Sequence, residues 1–301
     1  VPTCRILVIR LGALGDFVLS FPPFAAIRAW HPQAEITLLT GAPFAALARA
    51  SPWFDRVLVD RRPGWWNLPG IVRLARDLRG FDRVYDLQTS GRSSAYFRLA
   101  GRPAWSGIAA GCALPHANPA RDRMHTVERQ REQLLMAGID AFPAPDLSWL
   151  RAAPHPPLPD NACLLVPGAA PHRPEKRWPM AHYAALAGIL RARGFAPVVI
   201  GAAQDAALAA QIPAESLVGR TDLPALAALA ARARLAVGND TGPMHLAAAM
   251  GCPAVVLFSG ASDPALTAPR GPGGAWPTVL RADRLADLPV ARVAAALPGA
   301  A

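Results

Sequence analysis

Three short runs carry residue types at spacings that chemistry can use. The first is Arg10-Leu11-Gly12-Ala13-Leu14-Gly15-Asp16, a glycine-containing turn that follows an apolar strand pattern and opens a helical one. In a doubly wound sheet ligands sit at the carboxyl ends of strands, so this turn lies at the mouth of a ligand site. Asp16 then either faces the ligand or caps the helix and interacts with its dipole. A dinucleotide site fits less well, because the spacing is GxxG rather than GxGxxG. The second strand also ends in Leu38-Leu39-Thr40-Gly41, without a ribose-binding acid.

The second run spans 167–179, Pro-Gly-Ala-Ala-Pro-His-Arg-Pro-Glu-Lys-Arg-Trp-Pro, and holds Lys176, the one lysine of the chain against 30 arginines. A compact ammonium reaching a phosphate is not equivalent to a planar guanidinium, so its survival points to a ligand or to chance on the surface. The third is Val237-Gly238-Asn239-Asp240-Thr241-Gly242-Pro243-Met244-His245, again strand, polar turn and helix. Unpaired amides at such a helix start suit a diphosphate, and Thr241 adds a hydroxyl. His245 lies four residues after Thr241 and shares its face. Asp240 would repel a diphosphate, so it caps the helix or orients the loop.

These turns need strands and helices to hold them. Short β-rich apolar runs alternate with Ala/Leu-rich helical stretches throughout, the pattern of βαβ units around parallel sheets. Strands are expected at Arg5–Arg10, Glu35–Thr40, Arg56–Val59 and Arg83–Leu87, then at Ala162–Val166, Val198–Gly201, Ser216–Val218, Leu235–Gly238 and Ala254–Phe258. Helices fill the gaps, among them Met180–Arg193 and Leu223–Arg232. Four prolines within Ala153–Pro159 interrupt the alternation and mark an interdomain linker. The expected organisation is a Rossmann-like domain over 1–152, a linker at 153–161 and a second Rossmann-like domain over 162–286. A C-terminal helix at 287–299 would pack back across the first.

Composition narrows the function. At 301 residues the chain accommodates about two domains. The run Ile6–Phe21 could pass for a secretion signal, but Arg10 and Asp16 interrupt it. Met244–Phe258 is broken by His245 and Pro253 and is too short to span a membrane, so a cytoplasmic location is expected, with contact at the membrane face left open. Cys4, Cys112, Cys163 and Cys252 lack metal-ligand spacing, which favours a reducing compartment. No D-x-D pair offers a divalent-metal clamp, so no metal or other cofactor is expected and phosphate chemistry falls to backbone dipoles and cations. The net charge of +10 asks for an anionic partner. Residues 1–155 hold 19 basic and 12 acidic groups, against 12 and 9 in the remainder. Nucleic acid is not expected as that partner, since no zinc-finger, helix-turn-helix or RNP-type signature accompanies the charge.

Taken in order, these runs resemble glycosyltransferase family nine, the ADP-heptose:lipopolysaccharide heptosyltransferases, over nearly the full length. The likeness rests on Gly15-Asp16 with Pro22 shortly after, on Lys176-Arg177-Trp178-Pro179, and on the highly specific Asp240-Thr241-Gly242-Pro243-Met244-His245-Leu246-Ala247-Ala248-Ala249. Val218-Gly219-Arg220-Thr221-Asp222-Leu223 and Ser262-Asp263-Pro264 add to it. The resemblance implies a GT-B fold, two Rossmann-like domains whose parallel sheets face a central cleft, acceptor on the first and nucleotide sugar on the second. It implies an inverting, metal-independent transfer of heptose from ADP-heptose to the Kdo or heptose residues of the lipopolysaccharide inner core. By that likeness Asp16 is the general base, and Lys176, Asp240, Thr241, Gly242 and His245 bind the donor.

Gly168, Gly201 and Gln204 complete the expected donor-binding set, and Gln204 or Asp205 is where a ribose contact is expected. Beside Gly15, the loop residues Arg61, Arg62, Gln88, Arg92, Arg121 and Arg123 are acceptor candidates, since arginine pairs with carboxylate or phosphate. Trp65 and Trp66, next to Pro63-Gly64, either dip into a membrane interface or lie buried under their loop. Two other functions compete: a GT-B transferase for another nucleotide sugar in surface-polysaccharide synthesis, and a non-catalytic nucleotide-binding protein of the same fold.

Overall fold

A computed structural model describes residues 3–298, in two compact units divided between Asp146 and Leu147. In the first, six parallel strands form one sheet: β1 (Arg5–Ile9), β2 (Glu35–Thr40), β3 (Arg56–Val59), β4 (Arg83–Asp86), β5 (Ala104–Gly107) and β6 (Leu114–Pro115). Their order is β3-β2-β1-β4-β5-β6, with Ile9 of β1 level with Leu39 of β2 and Asp86 of β4. A central strand covered on both faces must be apolar at every position, and Ile6, Leu7, Val8 and Ile9 are all fully buried. The apolar run that follows β1 is helical. Phe17 and Phe24 pack edge to face, and both Phe21 and Phe24 meet Trp53. On the sheet's other side Leu74, Leu78, Tyr96 and Trp105 join Leu7, Ile9 and Val84 in one core.

The second unit repeats the plan with β7 (Ala162–Val166), β8 (Ala196–Val199), β9 (Glu215–Ser216), β10 (Leu235–Asn239), β11 (Ala254–Phe258) and β12 (Thr278–Arg281), ordered β12-β11-β10-β7-β8-β9. In each sheet the direction of winding reverses next to the first strand, between β1 and β4 and between β7 and β10. That reversal leaves room for a ligand beyond the strands' carboxyl ends. These are the doubly wound α/β sheets anticipated from the alternating pattern. Strands β5, β6 and β12 were not anticipated. They are two to four residues long, contain glycine or proline or lie at an edge, and carry too little periodicity to stand out.

Two expectations about organisation are corrected. The chain divides before the helix Ser148–Arg151, which packs on the helix Leu223–Arg232, while Arg151 Nη2 donates to Met250 O at 2.9 Å. The proline-rich stretch therefore runs inside the second unit. The C-terminal helix Val290–Ala295 does not join the first unit. Val293, Ala294 and Leu297 are buried against Leu186, Leu190 and Leu285 of the second unit's own core, and Arg193 Nη1 donates to Ala294 O at 2.8 Å. Amphipathicity shows that a helix needs a core, but not which one. Residue 299 lies outside the described residues.

Candidate active site

In the first unit β1 delivers Arg10 and the turn to Asp16. Asp16 stands in the first turn of the helix Leu14–Val18, where its Oδ2 accepts from Ala13 N at 3.3 Å, so the capping contact exists. Its carboxylate is nevertheless 38% exposed, and Oδ1 lies 3.0 Å from Nη2 of Arg10, whose own side chain is only 3% exposed. Arg10 is fixed from below, Nη1 donating to Leu87 O at 2.6 Å and Nε to Asp16 O at 3.1 Å. A buried, always charged guanidinium thus orients a solvent-reachable carboxylate. Beneath lies Asp86, the last residue of β4. Its buried carboxyl accepts from Gln88 N and Thr89 N at 3.1 and 3.0 Å. Burial pushes it up to about 6, despite those two amides and Arg10.

Gln88 Oε1 accepts from Leu11 N at 2.8 Å, and Arg62 Nη2 donates to Leu11 O at 3.3 Å, so both hold the Asp16 turn in place. The helix Thr126–Met136 latches the same loops. Buried Gln130 donates to Ser20 Oγ at 2.9 Å and buried Gln133 to Asp86 O at 3.0 Å. Arg129, half-buried on this helix, shares an electrostatic neighbourhood with Arg121, Asp122 and Asp16. Burial first, and Arg121 next, hold its guanidinium below the ordinary value. Arg121 itself is tied to Asp122 at 2.7 Å, and its Nε lies 3.4 Å from His116 Nδ1. Arg92 stacks over the Trp65 ring at 5.2 Å, while Arg61 and Arg123 are exposed. Trp65 and Trp66 are exposed, not buried under their loop.

In the second unit Lys176 and the turn after β10 converge. Lys176 Nζ lies 2.6 Å from Asp240 Oδ2, which also accepts from Ser262 Oγ at 2.7 Å. His245 Nε2 stands 3.7 Å from Asp240 Oδ1, too long for a hydrogen bond. Burial would raise the Asp240 carboxyl, but the cation and donors around it win and hold it at about 2. Geometry assigns most of that to Lys176 and Ser262, with the longer His245 contact adding to it. Asp240 therefore caps nothing and orients the loop. Thr241 takes extended backbone at the start of the helix Gly242–Ala249 and turns its hydroxyl to Asn239 O at 3.3 Å, so no side chain caps the helix's first amides.

Asn239 joins the two loops. Fully buried, it donates through Nδ2 to Pro167 O at 2.8 Å and accepts through Oδ1 from Trp178 N and Tyr183 Oη, both at 3.0 Å. A third loop is pinned by Asp205, which lies buried between two glycines. A Cβ at Gly168 would meet Asp205 Oδ2 at 2.8 Å, and one at Gly201 would meet it at 2.9 Å. Asp205 also accepts from Ala202 N at 3.0 Å, while Gln204 stays exposed. Of the two candidates for a ribose contact, only Gln204 is presented to solvent. Asp222 and Asp263 cap the helices that follow them, through Ala225 N and Ala265 N.

The structure thus brings Lys176, Asp240, Thr241, Gly242 and His245 together, and places Gly15, Gln88 and Arg62 around Asp16. Among the described residues, no hydrogen bond ties Arg61, Arg92 or Arg123 to that turn. Arg10, Asn239 and Ser262 stood within the quoted runs without a role of their own, and Asp86, Arg129, Gln130 and Gln133 were not singled out from sequence. Two glutamines three apart on a helix that also buries Leu134 were a legible signal of polar groups turned inward. Among the described residues no group of three His, Cys, Asp or Glu side chains could hold a metal ion, and no helix is long and apolar enough to cross a membrane.

Residues 71–276 match the model of the family described as glycosyltransferase family 9 (heptosyltransferase). Lipooligosaccharide heptosyltransferase 2 of Haemophilus influenzae is 38% identical over 299 residues, covering 88% of this chain and 86% of that protein. Lipopolysaccharide heptosyltransferase 2 of Escherichia coli is 28% identical over 303 residues, covering 88% and 85%. Among solved structures, E. coli ADP-heptose LPS heptosyltransferase II superposes with a TM-score of 0.74 at 25% identity, covering 97% of both chains. That likeness, together with the paired doubly wound sheets, makes the fold GT-B.

Proposed function

Given that the chain belongs to glycosyltransferase family 9, we propose that it transfers heptose from ADP-heptose to an inner-core sugar of lipopolysaccharide, with inversion and without a metal ion. The observation that carries this reading is the occupation of both topological switch points by complementary chemistry. A half-open carboxylate on a buried guanidinium follows β1, and an ammonium with an uncapped helix start follows β7 and β10. The names of the relatives support heptose as the sugar and the lipopolysaccharide core as acceptor. ADP-heptose is the donor named with the E. coli structure. Such a core is membrane-borne, so the reading includes contact with the inner membrane from the cytoplasmic side.

In an inverting transfer the acceptor hydroxyl oxygen bonds to the anomeric carbon as the bond to the diphosphate oxygen breaks, and the hydroxyl proton needs a base. Asp16 is that base. Arg10 holds Oδ1, and Oδ2, which accepts only the 3.3 Å contact from Ala13 N, keeps a second lone pair for the proton. General-base catalysis of this kind is commonly worth about 10²–10⁴-fold. Arg129 and Gln88, beside the turn, suit the carboxylate and hydroxyls of an acidic core sugar. On the donor side Lys176 and the amides at Thr241–Gly242 take the charge that grows on the leaving diphosphate. Losing one such donor typically costs about 3 kcal/mol. Asp240 holds the Lys176 and Ser262 side chains in position until the diphosphate arrives.

The test pairs binding with turnover. Calorimetry across ADP-heptose and GDP-, UDP- and dTDP-sugars is expected to show tight binding for ADP-heptose alone, undiminished in excess chelator. Asp16→Ala is expected to keep that affinity while turnover falls by about 10²–10⁴-fold. Preference for another nucleotide would reassign the donor, and retained turnover would remove Asp16 from the mechanism.

A further inference from the structure

The connection from β3 into the helix Leu68–Asp77 carries a surface that the transfer chemistry does not use. Trp66 is 90% exposed, Leu68 69%, Val72 62% and Trp65 52%. The helix meets the core through Leu74, near the line of Leu78 just beyond its end, whereas Leu68 and Val72 point roughly a third of a turn or more away from Leu74. Solvent-facing positions of a surface helix are ordinarily polar, so a cluster of large apolar side chains there marks an interaction site. It is also firmly built. Asn67 Oδ1 caps the helix through Gly70 N at 3.1 Å, and Arg92 stacks on Trp65. Within 61–79, five exposed arginines, Arg61, Arg62, Arg73, Arg76 and Arg79, stand against the single acid Asp77.

From this combination we propose that the Trp65–Val72 ridge is a membrane-docking surface. Trp66, Leu68 and Val72 enter the interfacial region of an anionic bilayer, and the flanking arginines contact its phosphates. Tryptophan prefers the headgroup level, where its ring is half wet and half dry. Basic residues near an anionic leaflet add attraction that falls off within a Debye length. Charge decides against the alternative occupant, a second copy of this chain: two such ridges would bring ten arginines face to face. The proposal deepens the inner-membrane contact of the functional reading and rests on it only in that a lipid-borne acceptor gives the contact a use.

Full-length protein is co-sedimented with vesicles of three parts phosphatidylcholine to one part phosphatidylglycerol, and with pure phosphatidylcholine, neither containing donor or acceptor. Binding to the anionic vesicles is expected, weaker on the neutral ones and weakened by salt. W66S/L68S/V72S is expected to lower the anionic affinity about a thousandfold, since burying each such side chain is worth roughly tenfold or more and the three factors multiply. R73Q/R76Q is expected to lower it about fivefold per charge. Both variants are expected to keep the wild-type thermal midpoint, ADP-heptose affinity and turnover on a delipidated acceptor. Wild-type affinity in the triple variant, absence of vesicle binding, or a lipid-free wild-type dimer that the triple variant abolishes would each overturn the proposal. Turnover on the delipidated acceptor reports on the transferase reading separately, because it requires no membrane.

Discussion

Replacing Asp240 by Asn keeps the shape and one acceptor oxygen but removes the charge opposite Lys176. The carboxyl sits at about 2 in the folded chain against an ordinary 3.8, because the surrounding cation and hydrogen bonds outweigh its burial. A difference of nearly two pH units corresponds to about 2.5 kcal/mol of stabilisation near neutrality. The folded value is the depressed one, so this stability is fully present well above the unfolded value and fades as pH falls toward 2. Roughly half is gone by pH 3. Lys176 Nζ, 2.6 Å away and mostly shielded, is left with an uncompensated charge in the variant, which adds to the loss. For a domain of about 150 residues, 2.5 kcal/mol is worth about 5–10 °C in the midpoint of the second unit. Scanning calorimetry of wild type and D240N from pH 7 to pH 3 reads both size and slope. A gap of less than about 2 °C at pH 7, or one that stays constant down to pH 3, would refute the assignment of the ion pair as what holds Lys176.

Asn239→Ala leaves the Trp178 amide and the Pro167 carbonyl without their partner, while the Tyr183 hydroxyl keeps only Val166 O, at 3.1 Å. It is expected to cost about 3 kcal/mol or more by denaturant melts and to weaken ADP-heptose binding by loosening two loops together. Gly168→Ala is expected to lower the thermal midpoint because its Cβ would strike Asp205 at 2.8 Å. Adding Asp205→Ala should recover part of that loss, whereas strictly additive costs would show that the two do not interact.

Much of this site could be read before any coordinates, for a definite reason. Strand, glycine turn and helix follow one another within a dozen residues at both Asp16 and Thr241, so local pattern suffices to place these residues at a sheet's carboxyl edge. Lys176 was conspicuous by rarity alone. What the pattern could not show depends on contacts between distant segments. Arg10 reads as the polar end of a strand until Leu87, 77 residues on, proves to accept from it. Asp86 looks like a strand-ending acid, and only complete burial raises it. The short strand Ala104–Gly107 is held by pairing with β4 rather than by propensity, and the C-terminal helix had two cores of similar character to choose from.

The same six-strand order built twice has a consequence for how such a chain can change. Asp16, Lys176 and Asp240 stand on connections outside the hydrogen-bonded ladders, whereas Asp86 and Asn239 end strands within them, so substitutions on the connections can retune a ligand while the scaffold beneath stays intact. On the proposed function, the groups for the incoming sugar and those for its recipient lie on separate stretches of chain. Exchanging the 167–179 and 239–245 segments with those of a relative is therefore a practical way to alter one without disturbing the other.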